Sequence, residues 1–335
     1  MTQAVGNIRR GALQNGQWTR GVLNFVSRYG TILGLVLMIV FFSINAPGTF
    51  PTRANLLNIL SQASLTAIIA SGLTYTLVVG EFDLSIGNVA SFCGLIVCGL
   101  MANQGLPILV SMMLVLALGT AIGTVSGLLV TKVRINAVIA TIGIGTMLAG
   151  IGFAYSSFPI AAGVPRDFVM MAVGRTFGIP RPVIIMAIVL LVLWIILNKT
   201  EIGQRMQAVG SNAEAARLAG INVARIKLFA FATAGFCSAL TGSLLSALLG
   251  SGTLAAADGY LLDAFAAVFL GSATLRDGEF HIVGTLVGVL ILAVGFNGLS
   301  IFGAPTYFQP IFKGGILVLA VGMSALARQY ASGNR

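Results

Sequence analysis

The sequence predicts an all-α polytopic membrane protein of about ten transmembrane helices with both termini cytoplasmic. Three observations carry this reading. Of the 335 residues, 57% are hydrophobic and only 8% are charged, whereas a soluble domain carries about 25% charged residues. The apolar residues fall into ten runs separated by short polar breaks, each run read as one span. Lys and Arg gather in alternate breaks, as they do on the cytoplasmic side of a membrane. The 42 glycines fit the same class, because small residues let membrane helices approach closely.

Residues 1–25 are polar and basic, with Arg9, Arg10 and Arg20 and no acid. No small-residue cleavage site follows a short apolar core, so this is read as a cytoplasmic tail. The transmembrane domain is placed at 26–327. Its first span covers 28–45, and Pro47 and Pro51 mark its end. The second covers 55–79. After the polar break 80–87 a third span runs to about Met101. The turn 104–107 leads to a fourth, ending near Val130. Lys132 and Arg134 make a short basic loop, and the fifth span is 136–155. A linker, 156–181, holds three prolines and three arginines. The sixth span, 182–198, is the most purely apolar. The polar loop 199–227 follows. The last four spans are 228–249, a short 261–273, 282–300 and 308–327, and the chain closes with a tail, 328–335. With the N-terminus inside, 14 of the 19 Lys and Arg fall in inner segments, 4 in outer ones, and Lys313 lies within the tenth span. The same basic loops account for the net charge of +10 through attraction to anionic membrane lipids, with no nucleic-acid partner implied.

The loop 199–227 carries a second signal. Ser211 is a good N-cap, and Glu214 three residues later completes a capping-box pattern. Ala213, Ala215, Ala216, Leu218 and Ala219 favour helix, and Gly220 supplies a left-handed stop. The expected helix has about eight residues and is marginal alone. Two readings fit it: a cytoplasmic loop that happens to be helical, or a knob presented to a groove on another protein.

Other polar residues within or beside the spans are the candidates for a pathway or gate. Glu81 and Asp83 sit between two apolar runs with almost no loop between them, and carboxylates in lipid cost several kcal/mol (about 2.5–3.5 on insertion scales). They belong either to a tight interfacial turn or to a broken helix facing a polar cavity; Asp83, in Asp83-Leu84-Ser85, also suits a cap for the third span. Asp263 opens the eighth span and Lys313 lies about a turn inside the tenth, so Lys313 either pairs with Asp263 or reaches the outer headgroups. Asn136 and Thr141 line a path or join helices. Asn297 and Gly298 close the ninth span.

Enzymatic roles have little material. Cys93, Cys98 and Cys237 lie in apolar runs without metal-ligand spacing, and His281 is the single histidine. No catalytic set, metal site or cofactor is expected. No GxxxxGK[ST] loop is present, so any nucleotide is bound by another chain. The segment 270–278 has spaced glycines but no lysine, and reads as a tight inner turn.

The pattern over about 50–325 resembles the ribose-type membrane permeases of ABC importers, which share a superfamily with branched-chain amino-acid permeases. Gly80 to Gly87, GEFDLSIG, resembles that family's GGIDLSVG. Gly210, Asn212, Ala215, Ala216, Gly220 and Ile221 match its Gly-x-Asn-x-x-Ala-Ala-x-x-x-Gly-Ile coupling segment. Leu262-Asp263-Ala264 through Gly271, Gly284-Thr285, Asn297-Gly298 and 309–314 resemble its last third. The chain departs from the pattern at Glu81-Phe82, at Asn136 and at 276–279. The resemblance implies a subunit of the bacterial inner membrane. Its partners would be a separate ATP-binding subunit at the cytoplasmic face, a periplasmic solute-binding protein and a second permease subunit, like or unlike. The solute would be a monosaccharide such as a pentose or hexose. In that scheme Asn212, Glu214 and 215–220 transmit force and do no chemistry. The alternatives are an ion-driven secondary transporter and an ABC permease for a branched-chain amino acid.

Overall fold

A computed structural model describes residues 29–272 and 278–332, with side chains of the last helix described to Leu319. The basic tail 1–25, Arg28, most of the glycine-spaced turn 270–278 and the end of the C-terminal tail lie outside the described residues. Among the described residues, thirteen helices and one two-stranded hairpin follow one another: α1 (Tyr29–Asn45), α2 (Arg53–Val78), α3 (Ile86–Ala102), α4 (Ile108–Leu128), α5 (Ala137–Tyr155), α6 (Arg166–Val173), β1 (Arg175–Thr176), β2 (Ile179–Pro180), α7 (Arg181–Lys199), α8 (Glu201–Ser211), α9 (Ala213–Leu218), α10 (Val223–Leu249), α11 (Asp258–Ser272), α12 (Ile282–Ile301) and α13 (Phe308–Ser332). The chain is an all-α polytopic membrane protein, and every expected span coincides with one of these helices.

Among the described residues, six helices are long and apolar enough to cross a bilayer by themselves: α2, α4 with the π-helical turn Leu129–Val133 that extends it, α5, α7, α10 and α12. Of the other expected spans, α3 and α11 are short for a physical reason. A helix rises 1.5 Å per residue, so the 17 residues of α3 and the 15 of α11 cover about 26 and 23 Å, less than a hydrocarbon core of about 30 Å. Each adjoins non-helical chain instead, 80–85 before α3 and 250–257 before α11. The linker 156–181 is largely structured. It forms α6 and the hairpin, and Ile160 exchanges two backbone hydrogen bonds of 2.9 Å with Gly252.

The centre of the bundle is α10, packed against α2, α3 and α4. Glycine decides how close these helices come. A Cβ added at Gly123 would lie 2.2 Å from the carbonyl oxygen of Phe231, and one at Gly242 would lie 1.9 Å from that of Ala90. The helices therefore meet backbone to backbone, the contact small residues permit when no water drives association. The direction of packing is fixed by named pairs. Leu65 accepts from Thr241, Gly72 meets Cys237, and Glu81 meets Lys227, so α2 runs antiparallel to α10. Asn55 pairs with Asn297 and Thr74 with Thr285, so α12 is antiparallel to α2 as well. One end of the bundle thus holds the start of α10 and the end of α2. The opposite end holds the start of α2 and the end of α12.

Candidate functional site

The polar segment after α7 builds a knob. Thr200 leaves the helical backbone, and its hydroxyl accepts from Gly203 N at 3.4 Å, which starts α8. Gly203, Met206 and Val209 bury one face of α8, while Glu201 and Arg205 pair on the exposed face. Gly210 sits on the last turn of α2: a Cβ there would lie 1.8 Å from the carbonyl oxygen of Val78. A glycine is the residue that lets α8 rest on that helix end.

The expectation for Ser211 is corrected. Ser211 is the last residue of α8, and its hydroxyl donates to Gln207 O at 2.9 Å. The break in helical backbone falls one residue later, at Asn212, with φ −159° and ψ 101°. Asn212 Oδ1 accepts from Ala215 N at 2.9 Å and caps α9. Glu214 does not reach back to complete a capping box; it pairs with Arg217 at 2.9 Å. The helix has six residues, Ala213–Leu218, against the expected eight, because Asn212 and Ala219 serve as its caps. At its far end Gly220 has φ +85°, Gly220 N donates to Arg217 O and Ile221 N to Ala216 O, both at 3.0 Å. That is the paired C-terminal closure for which glycine is favoured. Asn222 then caps α10 by accepting from Arg225 N at 3.1 Å. Inside this frame Ala216 is buried, holding α9 down, while Ala215, Ala219 and Leu218 face outward, with Leu218 81% exposed.

A second joint lies beside the knob. The segment 80–85 is neither a tight turn nor part of a continuous helix: α2 ends, five residues run without regular secondary structure, and α3 begins. Gly80 has φ +80°, the left-handed conformation that reverses the chain there. Asp83 is 1% exposed. One of its carboxylate oxygens accepts from Ser85 N at 2.9 Å and from Ser85 Oγ at 2.6 Å. It organises the segment but is not the capping residue, since Ser85 occupies that place before α3. Thr141 accepts from Leu84 N at 3.0 Å and ties the segment to α5. Phe82 stacks on Phe265 and Phe269 of α11. Glu81 is salt-bridged to Lys227 in the first turns of α10, 2.5 Å apart, with both side chains about four-fifths shielded. A cleft of about 390 Å³ opens between this segment and the knob, lined by Val78, Gly80, Phe82, Gln207 and Gly210 among others.

The pairing of Glu81 with Lys227 is not legible in the sequence. The chain separates them by 146 residues, and no spacing rule could have joined them. Breaking such a shielded pair leaves one charge uncompensated. Glu81→Gln is expected to lower stability by about 1–3 kcal/mol, and exchanging the two charges (Glu81→Lys with Lys227→Glu) to restore more than half of the loss. Thermal unfolding of the detergent-solubilised protein measures both. No recovery in the exchanged variant would show that the pair is incidental.

The remaining candidates separate. Lys313 pairs with Asp263, Nζ to Oδ1 2.6 Å, which settles the choice between pairing and reaching the headgroups. Asp263 lies inside α11, which begins at Asp258, and does not open the span. Asn136 caps α5 by accepting from Val138 N. Asn297 does not end its helix; α12 continues to Ile301, and Asn297 exchanges two amide hydrogen bonds, 2.9 and 2.8 Å, with Asn55. Asp83, Ser85 and Thr141 are brought together; Asp263 with Lys313, Asn297, and Asn136 are elsewhere. His281 caps α12, its Nδ1 accepting from Gly284 N. No group of three His, Cys, Asp or Glu is arranged to hold a metal among the described residues.

The fold is a glycine-packed polytopic helical bundle with a polar knob at one end. Residues 55–321 match the family described as branched-chain amino acid transport system / permease component, and the chain belongs to it. It is 38% identical over 301 residues to the ribose import permease protein of Haemophilus influenzae, covering 89% of this chain and 93% of that one. It is 31% identical over 302 residues to the D-allose transport system permease protein of Escherichia coli, with 90% and 93% covered. With the xylose transport system permease protein of Haemophilus influenzae it shares 30% over 354 aligned residues, with 88% and 94% covered. No solved structure matches the chain.

Proposed function

We propose that this chain is the membrane-spanning subunit of an ATP-driven, binding-protein-dependent importer for a monosaccharide. The observation that carries the reading is the knob. Asn212, Gly220 and Asn222 fix α9 at both ends, Ala216 anchors it, and Leu218 with its small neighbours is presented outward. A six-residue helix is far below the length stable alone, about 12–15 residues. Its order comes from caps and packing, and an ordered projecting helix suits docking into a groove. A separate ATP-binding subunit would grip it from the cytoplasm. Gly210, resting on the end of α2, would pass the movement into the bundle, and the Glu81 and Lys227 pair would pass it to 80–85.

In this reading ten helices cross the bacterial inner membrane with both termini cytoplasmic, and α3 and α11 complete their crossings with non-helical chain. The permease domain is 26–327, with 199–227 as its coupling loop and short cytoplasmic tails at 1–25 and 328–335. A periplasmic binding protein delivers the solute, and a second permease subunit completes the pathway. The sugar class rests on the names of the ribose, allose and xylose relatives. The test is uptake of radiolabelled D-ribose, D-xylose and D-allose into proteoliposomes holding the complex. ATP-dependent accumulation of at least one sugar, lost when the ATP-binding subunit is omitted, is the expected result. Accumulation driven by an ion gradient with this chain alone, or transport of leucine and no sugar, would reject it.

A further inference from the structure

At the end of the bundle remote from the knob, α2, α12 and α13 enclose a cleft of about 360 Å³. That lies within the range of small-molecule sites, about 300–1,000 Å³. Its polar lining is Asn55, Asn58, Gln62, Asn297, Ser300 and Gln309, beside the ring of Phe296 and Ile301. None of these residues carries a charge. The nearby ammonium of Lys313, 5.9 Å from the Phe296 ring centroid, is already paired with Asp263.

Position makes these amides unusual. Asn55, Asn58 and Gln62 recur at three and four residues, so they form one stripe on α2. Gln62 is nine residues into that helix, about 14 Å along its axis. Asn58 and Gln62 are exposed in the single chain, with Gln62 Nε2 donating to Asn58 Oδ1 at 3.3 Å. Exposed carboxamides at such depth do not face hydrocarbon, where their unused donors and acceptors would go unpaired. They face water or another subunit. Asn55 and Asn297 clasp one another and set the floor of the cleft, while Gln309 Nε2 reaches Ser300 Oγ at 3.5 Å.

We infer that this cleft is a binding subsite for an uncharged polyhydroxylated solute on the translocation path. A carboxamide donates two hydrogen bonds and accepts others, and a hydroxyl both donates and accepts, so each amide matches a diol without any charge. An amino acid carries an ammonium and a carboxylate together, and in this lining both would be desolvated without a partner. The subsite therefore separates sugars from amino acids within one permease architecture. About 24 Å of helix axis separates Gln62 from Val78, where the knob rests, so solute contact and energy input act at opposite ends of α2.

The inference rests on the proposed sugar-importer function, and the experiment distinguishes the two. The full complex is reconstituted with wild-type chain, with Asn58→Leu/Gln62→Leu, and with Asn58→Gln/Gln62→Asn, which keeps both carboxamides. The amount of assembled complex is measured by copurification of the ATP-binding subunit. Labelled D-ribose, D-xylose and D-allose are the probes. The leucine pair is expected to lower uptake about tenfold at equal assembly, the loss of two net hydrogen bonds, and the amide-retaining pair to stay within about threefold of wild type. Wild-type uptake by the leucine pair, or equal loss in both variants, overturns the subsite while leaving the importer reading intact. Absence of all sugar uptake in the wild type overturns the importer reading and the subsite with it.

Discussion

Ala216→Pro is expected to abolish ATP-driven transport while leaving the protein inserted and folded through the bundle. Ala216 N donates to Asn212 O at 2.9 Å, the first hydrogen bond of α9. Proline removes that donor and its ring crowds the preceding turn, at a cost of about 3 kcal/mol in a helix interior. A six-residue helix has few other bonds to hold it. A loss of that size lowers the population of ordered knob about 150-fold, and uptake should fall at least a hundredfold if the knob carries the coupling. Glu214→Pro is the matched control. Position 214 lies in the first turn, where the backbone N–H has no intrahelical partner. The exposed Glu214 and Arg217 pair that it deletes is worth little. Uptake within about tenfold of wild type is expected for it. Normal transport by Ala216→Pro would show that α9 is not the coupling element.

Gly210→Ala should uncouple the transporter without blocking its assembly. The methyl group would lie 1.8 Å from a backbone oxygen, where no flexible side chain can move aside. Either α8 lifts from the end of α2 or the last turn of α2 shifts. Overpacking of this kind costs about 1–3 kcal/mol, occasionally more. The expected result is ATP hydrolysis at half the wild-type rate or better, with sugar uptake reduced about tenfold or more. Ser211→Ala, one residue on, removes only an exposed hydroxyl bond to Gln207 and should leave both rates near wild type. Coupled transport in Gly210→Ala would mean that force reaches the bundle by another route, of which the Lys227 and Glu81 pair is the nearest.

Much of this architecture is written in local pattern. Each of the ten apolar runs falls on a helix, six of them long and apolar enough to cross a bilayer among the described residues, because hydropathy and length act locally. The stop at Gly220 is equally local, since a left-handed residue after an Ala-rich run has few other uses. The cap was misplaced by one residue because Ser211 and Asn212 are both good caps, and the choice depends on where α8 releases the backbone. That in turn depends on Gly210 meeting Val78, a contact between segments more than a hundred residues apart. The α8 helix was hidden for a similar reason: its sequence is polar on one face and buries only Gly203, Met206 and Val209. The break at 80–85 left two readings open because two carboxylates between apolar runs fit an interfacial turn as well as a broken helix. Phe82 on the α11 aromatics and Thr141 on Leu84 decide it, and both contacts are tertiary. The amide stripe of Asn55, Asn58 and Gln62 did have a readable signal in its helical spacing. It passes unnoticed in a run judged only by its hydropathy.

The most direct measurement of the central claim is site-directed crosslinking at the tip of the knob. Cys93, Cys98 and Cys237 are all buried, so a thiol introduced by Leu218→Cys at an 81%-exposed position is the accessible one among the described residues. A membrane-impermeant maleimide should label it only in inside-out vesicles, and a short bifunctional crosslinker should join it to the ATP-binding subunit. Labelling from the periplasmic side, or a tip that stays fully reactive and joins nothing in the assembled complex, would contradict the account.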